Sequence, residues 1–302
     1  MNILLIGYGS IAKRHIHALR SIANDVMIFA LRSKMASEVV GGITNINDLN
    51  DVDDIDFILI SNPTSLHADA VESVLKFRKP IFLEKPPFHS LAGTEKLIAE
   101  IERNKLLTYT AFNLRFLDSL KYIKQELNIK QVNEVNIYCG SYLPDWRKNE
   151  DYRLSYSAQH EMGGGVHLDL IHEMDYVLWI FGKPSKITST FKKLSDLSID
   201  SYDYAHYTLI YEGFVVNISL NYFRRDAKRT MEIVSNKNTL EVDLISNTIV
   251  DTTNKLRVFA SDQIVYDTYE AQMNYFLECL KTKTPTFNTI ANAVDTLKYA
   301  LG

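Results

Sequence analysis

Residues 1–12 read MNILLIGYGSIA, a short apolar run that ends in the pattern Gly-x-Gly-x-x-Ala. Apolar residues at helical spacing follow, and this order of strand, tight turn and helix is the setting in which the pattern indicates dinucleotide binding. Gly7 permits the sharp turn, and Gly9 leaves room for a pyrophosphate at the helix N-terminus. The sequence therefore predicts a dinucleotide site, whose contacts we expect from Gly7, Gly9, Ser10 and Ile11.

The composition is that of a globular protein of moderate charge. The chain has 302 residues, which exceeds one typical domain, and 46% of them are hydrophobic and 23% charged. A formal net charge of -4 favours neither nucleic acid nor an anionic membrane as a partner. We expect no signal peptide and no membrane span, and the two cysteines fit neither a disulfide framework nor a zinc motif. These features predict a cytoplasmic protein of two domains without a metal site.

Strands and helices alternate through the first hundred residues. Short apolar strands are predicted to end near Leu31, Ser61, Leu83 and Ala111. Such alternation predicts an α/β Rossmann domain, with a doubly wound parallel sheet, and we place it at residues 1–117. Ligands bind beyond the carboxyl ends of these strands. The residues there that we expect to contact the cofactor are Asn62, Pro63, His67, Glu84, Lys85 and Asn113.

The pattern changes to an alternation of period two from about Asn133. Val135, Ile137 and Cys139 are separated by polar or aromatic residues, and several later segments repeat this spacing. The alternation predicts an antiparallel sheet with one covered face. Residues 118–302 should therefore form an α+β domain with a large, mostly antiparallel open sheet, covered by helices predicted over 117–127, 165–181 and 271–301, the last with a break at Pro285. The free face predicts a homodimer or homotetramer.

The end of the second strand bears on the choice between NAD and NADP. An acidic residue at this point would bind the ribose 2′-hydroxyl and favour NAD. The chain has Arg32 and Ser33 instead, and a guanidinium matches the oxygens of a 2′-phosphate. We therefore predict a preference for NADP over NAD. The alternative is that Arg32 is a solvated loop charge.

Two further clusters carry groups able to move a proton. Lys85 lies in the sequence Glu-Lys-Pro-Pro after a predicted strand, where a desolvated lysine beside a cation can release its proton. Asp169 and His172 share one face of the helix predicted after Gly163–Gly165, and Asp175 is spaced to orient the imidazole of a general base. The alternatives are a surface lysine and a capped helix with solvent-facing charges.

Four motifs follow one another in a fixed order along the chain. They are Gly7-Tyr8-Gly9, Glu84-Lys85-Pro86, Asn113-Leu114-Arg115-Phe116, and Gly163-Gly164-Gly165 followed by Asp169 and His172. In this order they resemble the Gfo/Idh/MocA oxidoreductase family over nearly the whole chain. The resemblance implies a Rossmann domain followed by an α/β domain with a large open sheet. It also implies hydride transfer between nicotinamide and a sugar or cyclitol, with catalytic roles for Lys85 and His172.

The sequence departs from the family pattern at two informative places. Arg78 stands where glycine is usual before the Glu-Lys-Pro strand, and we expect this to alter only a surface turn. Asp169 and His172 are three residues apart instead of the usual four, so alignment on His172 puts Leu168 at the aspartate position. Lys85 and His172 are therefore the preferred catalytic pair, with Asp169 as the third candidate.

The segment from Asp145 to Gly165 resembles a branch associated with bacterial surface-polysaccharide and sialic-acid-like sugar pathways. Its arginines and tyrosines suit a substrate with a carboxylate or phosphate, and the alternative is an ordered surface loop. We expect a small-molecule sugar substrate, either anionic or nucleotide-linked, contacted by Lys85, Arg115, Arg147, Tyr156, Asp169 and His172. Two other functions stay open: an NAD-dependent glycosidase or eliminase with transient oxidation, and a non-catalytic regulatory protein that binds sugar or NAD(P).

Overall fold

The computed structural model describes residues 1–23, 25–32, 41–147 and 150–302. They divide into two compact units. The first comprises Met1–Phe112 and Tyr269–Leu297, and the second comprises Asn113–Thr268 and Lys298–Gly302. The predicted division was residues 1–117 and 118–302. The observed units differ from it, because most of the C-terminal helical segment belongs to the first unit.

A parallel sheet forms the centre of the first unit. Its strands are β1 (Asn2–Ile6), β2 (Met27–Leu31), β3 (Ile43–Ile46), β4 (Phe57–Ile60), β5 (Ile81–Leu83) and β6 (Thr108–Thr110), with helices α1 (Ser10–Ile22), α2 (His67–Val74) and α3 (Thr94–Arg103) between them. Within the described ranges the strand order is β3-β2-β1-β4-β5-β6, and every neighbouring pair is parallel. This is the order of a doubly wound Rossmann sheet, which confirms the predicted fold.

The inner strands β4 and β5 read as continuous apolar runs because both faces of the sheet are covered there. All four residues of β4 are buried, as are all three of β5. The C-terminal helix α7 (Asp267–Thr282) contributes Phe276, whose ring lies 5.2 Å from the ring centres of both Phe57 and Phe82. Burial of this aromatic cluster is the physical reason that the chain returns to the first unit. Helix α8 (Ile290–Leu301) follows it.

An open sheet forms the second unit. Its strands are β7 (Val132–Gly140), β8 (Lys186–Lys192), β9 (Tyr204–Ile210), β10 (Val215–Asn221), β11 (Lys228–Ser235), β12 (Thr239–Asp243), β13 (Thr248–Asp251) and β14 (Leu256–Ala260), and its helices are α4 (Asp118–Glu126), α5 (Val166–Asp169) and α6 (His172–Phe181). The strand order in the part of the chain described is β14-β13-β12-β11-β7-β10-β9-β8. Only the β7–β10 pair among these is parallel, so the predicted, mostly antiparallel sheet is confirmed.

Two predicted helices differ in extent from the observed ones. The helix expected over 165–181 is interrupted, because the backbone leaves helical geometry at Leu170 and α6 begins at His172. The segment predicted as helical over 271–301 begins earlier, at Asp267, and forms two helices that end at Thr282 and Leu301. No helix in the described residues is long and apolar enough to cross a bilayer.

Arg78 ends the turn that follows α2. A short 3-10 segment, Leu75–Phe77, continues the helix, and Arg78 then adopts a left-handed backbone with φ 50° and ψ 36°. Residues with a Cβ adopt this conformation at a cost, whereas glycine does so freely. The usual glycine of the family pattern therefore has a conformational reason at this position.

We predict that Arg78→Gly raises the free energy of unfolding by about 0.5–1 kcal/mol, because relief of the left-handed strain exceeds the entropy that glycine loses on folding. Urea unfolding followed by circular dichroism measures the change. Arg78→Ala is the matched control, since it removes the guanidinium but keeps the Cβ. An equal gain in both variants would contradict the backbone explanation.

Candidate active site

The ends of β1 and β4 meet at the carboxyl edge of the first sheet. Gly7 follows β1 with φ +85°, and a Cβ built on it would lie 2.6 Å from the backbone of Asn62, which follows β4. The Ser61 hydroxyl donates a hydrogen bond of 3.0 Å to the Gly7 carbonyl. The two turns therefore pack directly on each other, which only glycine at position 7 allows. Pro63, the next predicted cofactor residue, is exposed beside Asn62.

The beginning of α1 fits a dinucleotide phosphate. A Cβ built on Gly9 would meet no atom within 4 Å, so the space beside this turn is open. Ser10 and Ile11 are the first residues of α1, and the first N–H groups of a helix have no intrahelical partner. Open space beside unpartnered N–H groups and a positive dipole end is a suitable site for an anion.

Two cations flank the aromatic ring between the two glycines. The guanidinium carbon of Arg32 lies 4.8 Å from the centre of the Tyr8 ring, and the Lys13 ammonium lies 5.6 Å from it. Arg32 therefore lies against the glycine turn, where sequence reasoning expected the adenosine ribose. Lys13 was missed, although its position in the first turn of α1 was visible in the sequence. Ser33 lies outside the described residues.

Glu84 is a buried carboxylate that anchors the turn carrying Lys85. One of its oxygens contacts Nε2 of His15, and the other accepts a hydrogen bond of 3.0 Å from the Lys85 backbone N–H. Burial alone would raise the pKa of Glu84, but the hydrogen bond from His15 and the nearby positive charges outweigh it and lower that pKa. The contact of Glu84 with the cofactor stays a prediction beside this internal role. Lys85 itself is partly exposed.

His67 is also turned inward. Its Nδ1 lies 2.9 Å from the Pro86 carbonyl oxygen, and its Nε2 lies 3.0 Å from the Asn62 carbonyl oxygen. Only 1% of the residue is exposed. The prediction that His67 contacts the cofactor is therefore corrected, because both ring nitrogens face carbonyl groups of the protein.

Two glycines of the Gly163–Gly165 run allow the chain to pack on itself. A Cβ on Gly164 would lie 2.1 Å from the Tyr156 carbonyl oxygen, and the Gly165 N–H donates to the Ser157 carbonyl at 3.2 Å. These two glycines therefore admit the loop that precedes them, which brings Tyr156 beside Asp169.

Asp169 is a buried carboxylate with two phenols beside it. The Tyr222 hydroxyl donates to it at 2.5 Å, and Tyr156 lies close enough for the charge of Asp169 to act on it. Burial and the negative charge of Asp169 raise the pKa of both tyrosines well above its usual value. Sequence reasoning missed Tyr222, because its position after β10 reads as one more apolar residue of the alternation.

Tyr156 also lines a small cavity of about 40 Å³ together with Arg147. The remaining lining residues include Trp146 and Tyr152, and the Arg147 guanidinium donates to Glu150 at 3.1 Å. Two predicted substrate residues, Arg147 and Tyr156, thus lie at one cavity of the second unit. Asp169 lies next to it, beside Tyr156.

His172 is the first residue of α6 and is largely buried. The neighbouring His167 is not an alternative base, because burial lowers its pKa to about 4 and its ring packs on Phe191 and Tyr202.

Asn113, a predicted cofactor residue, is buried in the second unit and donates to the Thr268 hydroxyl at 2.6 Å.

Arg115 and Asp175 form a buried ion pair. Two guanidinium nitrogens donate to the two carboxylate oxygens, at 2.7 and 2.9 Å, and the side chains are 9% and 1% exposed. Burial raises the pKa of Asp175, and Arg115 opposes that shift. Arg115 was predicted to contact the substrate, and Asp175 was predicted to orient the imidazole of His172. In the structure these two residues form an ion pair with each other.

A doubly wound sheet with an anion-binding glycine turn, followed by a large open sheet, defines the class of two-domain Rossmann oxidoreductases. Residues 1–112 match the model described as "Oxidoreductase family, NAD-binding Rossmann fold", and residues 122–241 match the "GFO/IDH/MocA C-terminal domain". The chain belongs to the Gfo/Idh/MocA oxidoreductase family, as the four motifs predicted.

Similar proteins include sugar and cyclitol dehydrogenases. Myo-inositol 2-dehydrogenase of Thermotoga maritima is 24% identical over 193 residues, which cover 61% of this chain and 55% of that enzyme. UDP-N-acetylglucosamine 3-dehydrogenase GnnA from Acidithiobacillus ferrooxidans has a TM-score of 0.80 at 18% identity. The WlbA dehydrogenase from Bordetella pertussis, solved with NADH and UDP-GlcNAcA, has a TM-score of 0.83 at 16% identity. Both structures cover 100% of this chain, which covers 95% of each of them, and at these identities they show the fold. The curated relative is matched over about half its length.

We predict that Arg115→Ala lowers the free energy of unfolding by about 3–5 kcal/mol, because it leaves the buried Asp175 carboxylate unpaired. Urea unfolding measures the loss. Lys121→Ala is the control, since it removes an exposed ion pair of 2.6 Å with Asp118 in the same unit, and such pairs contribute about 1 kcal/mol or less. If both variants lost equal stability, the buried pair would have no special role.

Proposed function

We propose that this protein is an NAD(P)-dependent dehydrogenase or reductase acting on a CH–OH or carbonyl carbon of a sugar derivative. The observation that carries the proposal is the Lys85 turn, which Glu84 anchors at the sheet edge that also holds the glycine turn. A bound nicotinamide would accept or supply the hydride. Positioning of the reacting carbon would then provide much of the acceleration.

Proton transfer is the task that remains for the protein. In oxidation, Nζ of Lys85 or the imidazole of His172 receives the proton of the substrate hydroxyl, and in reduction the same group returns it. The buried carboxylate of Glu84 fixes the backbone of Lys85 by accepting from its N–H. Tyr222 donates to the Asp169 carboxylate, so the proposed role of Asp169 is to orient the substrate or the base.

We propose an anionic or nucleotide-linked sugar as the substrate class, in a bacterial surface-glycan pathway. Support comes from Arg147, a cation at the rim of the cavity that Tyr156 lines. A guanidinium and phenols are suited to carboxylates, phosphates and sugar hydroxyls. Two of the similar structures are, by their names, a dehydrogenase of a UDP-sugar and a dehydrogenase in complex with one.

Self-association and a cytoplasmic location are further parts of the proposal. On the second sheet, one face carries partly exposed polar side chains around a depression of about 290 Å³, including Asn136, Asn217 and Glu232. Such a face supports a homodimer or homotetramer. Cys139 and Cys279 are buried free thiols, and free thiols are typical of proteins in a reducing compartment.

We propose that NADP is preferred over NAD. Arg32 lies against Tyr8 of the glycine turn, and Lys13 brings a second positive charge to the same ring. Two cations near the expected ribose favour a 2′-phosphate, since charged hydrogen bonds to phosphate are strong.

We predict that Arg32→Ala raises the Kd for NADPH about tenfold or more and leaves the Kd for NADH nearly unchanged, because a charged hydrogen bond to the 2′-phosphate is lost. Fluorescence titration with both coenzymes measures this. Arg103→Ala is the control, as it removes the same charge from an exposed position in α3. A wild-type protein that binds NADH more tightly than NADPH would refute the preference.

We predict that Lys85→Ala lowers kcat about a hundredfold or more, the usual scale for loss of an acid–base group. The substrate is first found in a panel of inositols, sugar acids and UDP-sugars, by absorbance at 340 nm. Lys96→Ala, in an exposed position of α3, is the control. A near-normal kcat for Lys85→Ala would remove the residue from the mechanism.

A further inference from the structure

Two loops at the carboxyl edge of the first sheet meet at one buried histidine. We propose that His67 is a positioning residue that holds the Lys85 turn with Nδ1 and the Asn62 loop with Nε2. The catalytic meaning of the Lys85 turn rests on the proposed function. The contacts of His67 and their effect on the two loops do not.

The contacts of His67 are all with backbone carbonyl oxygens. Nδ1 lies 2.9 Å from the oxygen of Pro86 and 3.2 Å from that of Pro87, and Nε2 lies 3.0 Å from that of Asn62. The residue begins α2, so its backbone position is set by a helix packed on the sheet. The imidazole therefore bridges two loops that are 24 residues apart, from Asn62 to Pro86.

The chemistry of the ring limits how many of these contacts are hydrogen bonds at once. Carbonyl oxygens only accept, and a neutral imidazole has a single N–H. Burial lowers the pKa of His67, although the carbonyl groups and the charge of Glu84 oppose that shift. In the neutral ring the two tautomers divide the hydrogen bonds between the loops: one bonds the Lys85 turn and the other bonds the Asn62 loop, so His67 holds the two loops in alternation. Only the imidazolium would bond both at once.

A shift of each loop would affect a different part of the site. Pro86 and Pro87 directly follow Lys85, so a shift of their carbonyls redirects the lysine side chain. Asn62 forms the wall against which Gly7 packs, with 2.6 Å between its backbone and the position of a Cβ at Gly7. Loss of the Nδ1 contact should therefore change the surroundings of the Lys85 amine. Loss of the Nε2 contact should change the fit of a dinucleotide.

Two substitutions separate these effects. An asparagine amide places a nitrogen donor close to the position of Nδ1, and a glutamine amide places one close to Nε2. His67→Asn should keep the Lys85 turn and release the Asn62 loop, whereas His67→Gln should do the reverse. His89→Asn is the matched control, because His89 is an exposed histidine two residues beyond Pro87.

The experiment uses the full chain and two readouts that need no substrate. One is the Kd for NADPH and for NADH by fluorescence titration. The other is the rate at which trinitrobenzenesulfonate labels Lys85, followed by mass spectrometry of the Lys85 peptide across pH. We expect His67→Asn to weaken coenzyme binding about tenfold and to leave Lys85 labelling within about threefold of wild type, since one buried hydrogen bond is lost. His67→Gln should alter Lys85 labelling about tenfold and leave coenzyme binding unchanged, for the same reason.

A uniform result would overturn the proposal. If both variants change both readouts in equal proportion, or change only the melting temperature, His67 merely stabilises the fold. Should neither variant fold, nitrogen-15 NMR of the wild-type histidines replaces them: a slowly exchanging ring N–H on His67 supports the proposal, and rapid exchange contradicts it.

The outcome is separable from that of the proposed function. If the wild-type protein turns over no sugar of the panel while the two variants still split the two readouts, the enzyme proposal fails and His67 keeps its role. If wild-type turnover is found and no split appears, the positioning role fails and the enzyme proposal stands. Once a substrate is known, kcat of the two His67 variants should change together with the labelling rate of Lys85. Their KM for the coenzyme should change together with the Kd for the coenzyme.

Discussion

The missing side chain of Gly7 is the constraint on which the candidate coenzyme site depends. A Cβ at this residue would lie 2.6 Å from the Asn62 backbone, so the ends of β1 and β4 can meet only because it is absent. These strands are neighbours at the point where the strand order of the sheet reverses. In doubly wound sheets this is where a crevice for ligands opens. The steric requirement at one residue and the topology of the sheet therefore select the same place.

Hydrogen bonds of buried polar groups connect this turn to the loop that carries Lys85. The Ser61 hydroxyl bonds the Gly7 carbonyl, His67 bridges Asn62 to Pro86, and Glu84 accepts from the Lys85 N–H. Each of these groups is buried, and a buried polar group left without a partner is costly. The loops after β4 and β5 are therefore held by these contacts, and Lys85, which follows β5, is partly exposed.

Local patterns in the sequence were sufficient for the fold and for much of the first unit. The continuous apolar run of β4 and the glycine turn can each be recognised from a few consecutive residues. The edge strands β3, β8 and β14 escaped prediction, since their exposure leaves them little apolar alternation. Arg115 and Asp175 were misjudged for another reason: partners 60 residues apart are joined only by tertiary packing, which no local spacing encodes. The inward contacts of His67 belong to the same class.

The interval between Asp169 and His172 shows how a sequence rule can fail where it is applied to the wrong element. A separation of three residues places two side chains on one face only within a continuous helix. Here α5 ends at Asp169 and α6 begins at His172, with Leu170 outside helical geometry. The Asp169 carboxylate instead accepts from the Tyr222 hydroxyl, which follows β10 in another part of the second unit. The unusual spacing is therefore no argument against Asp169, because tertiary contacts such as this hydrogen bond, and not helical periodicity, hold that carboxylate.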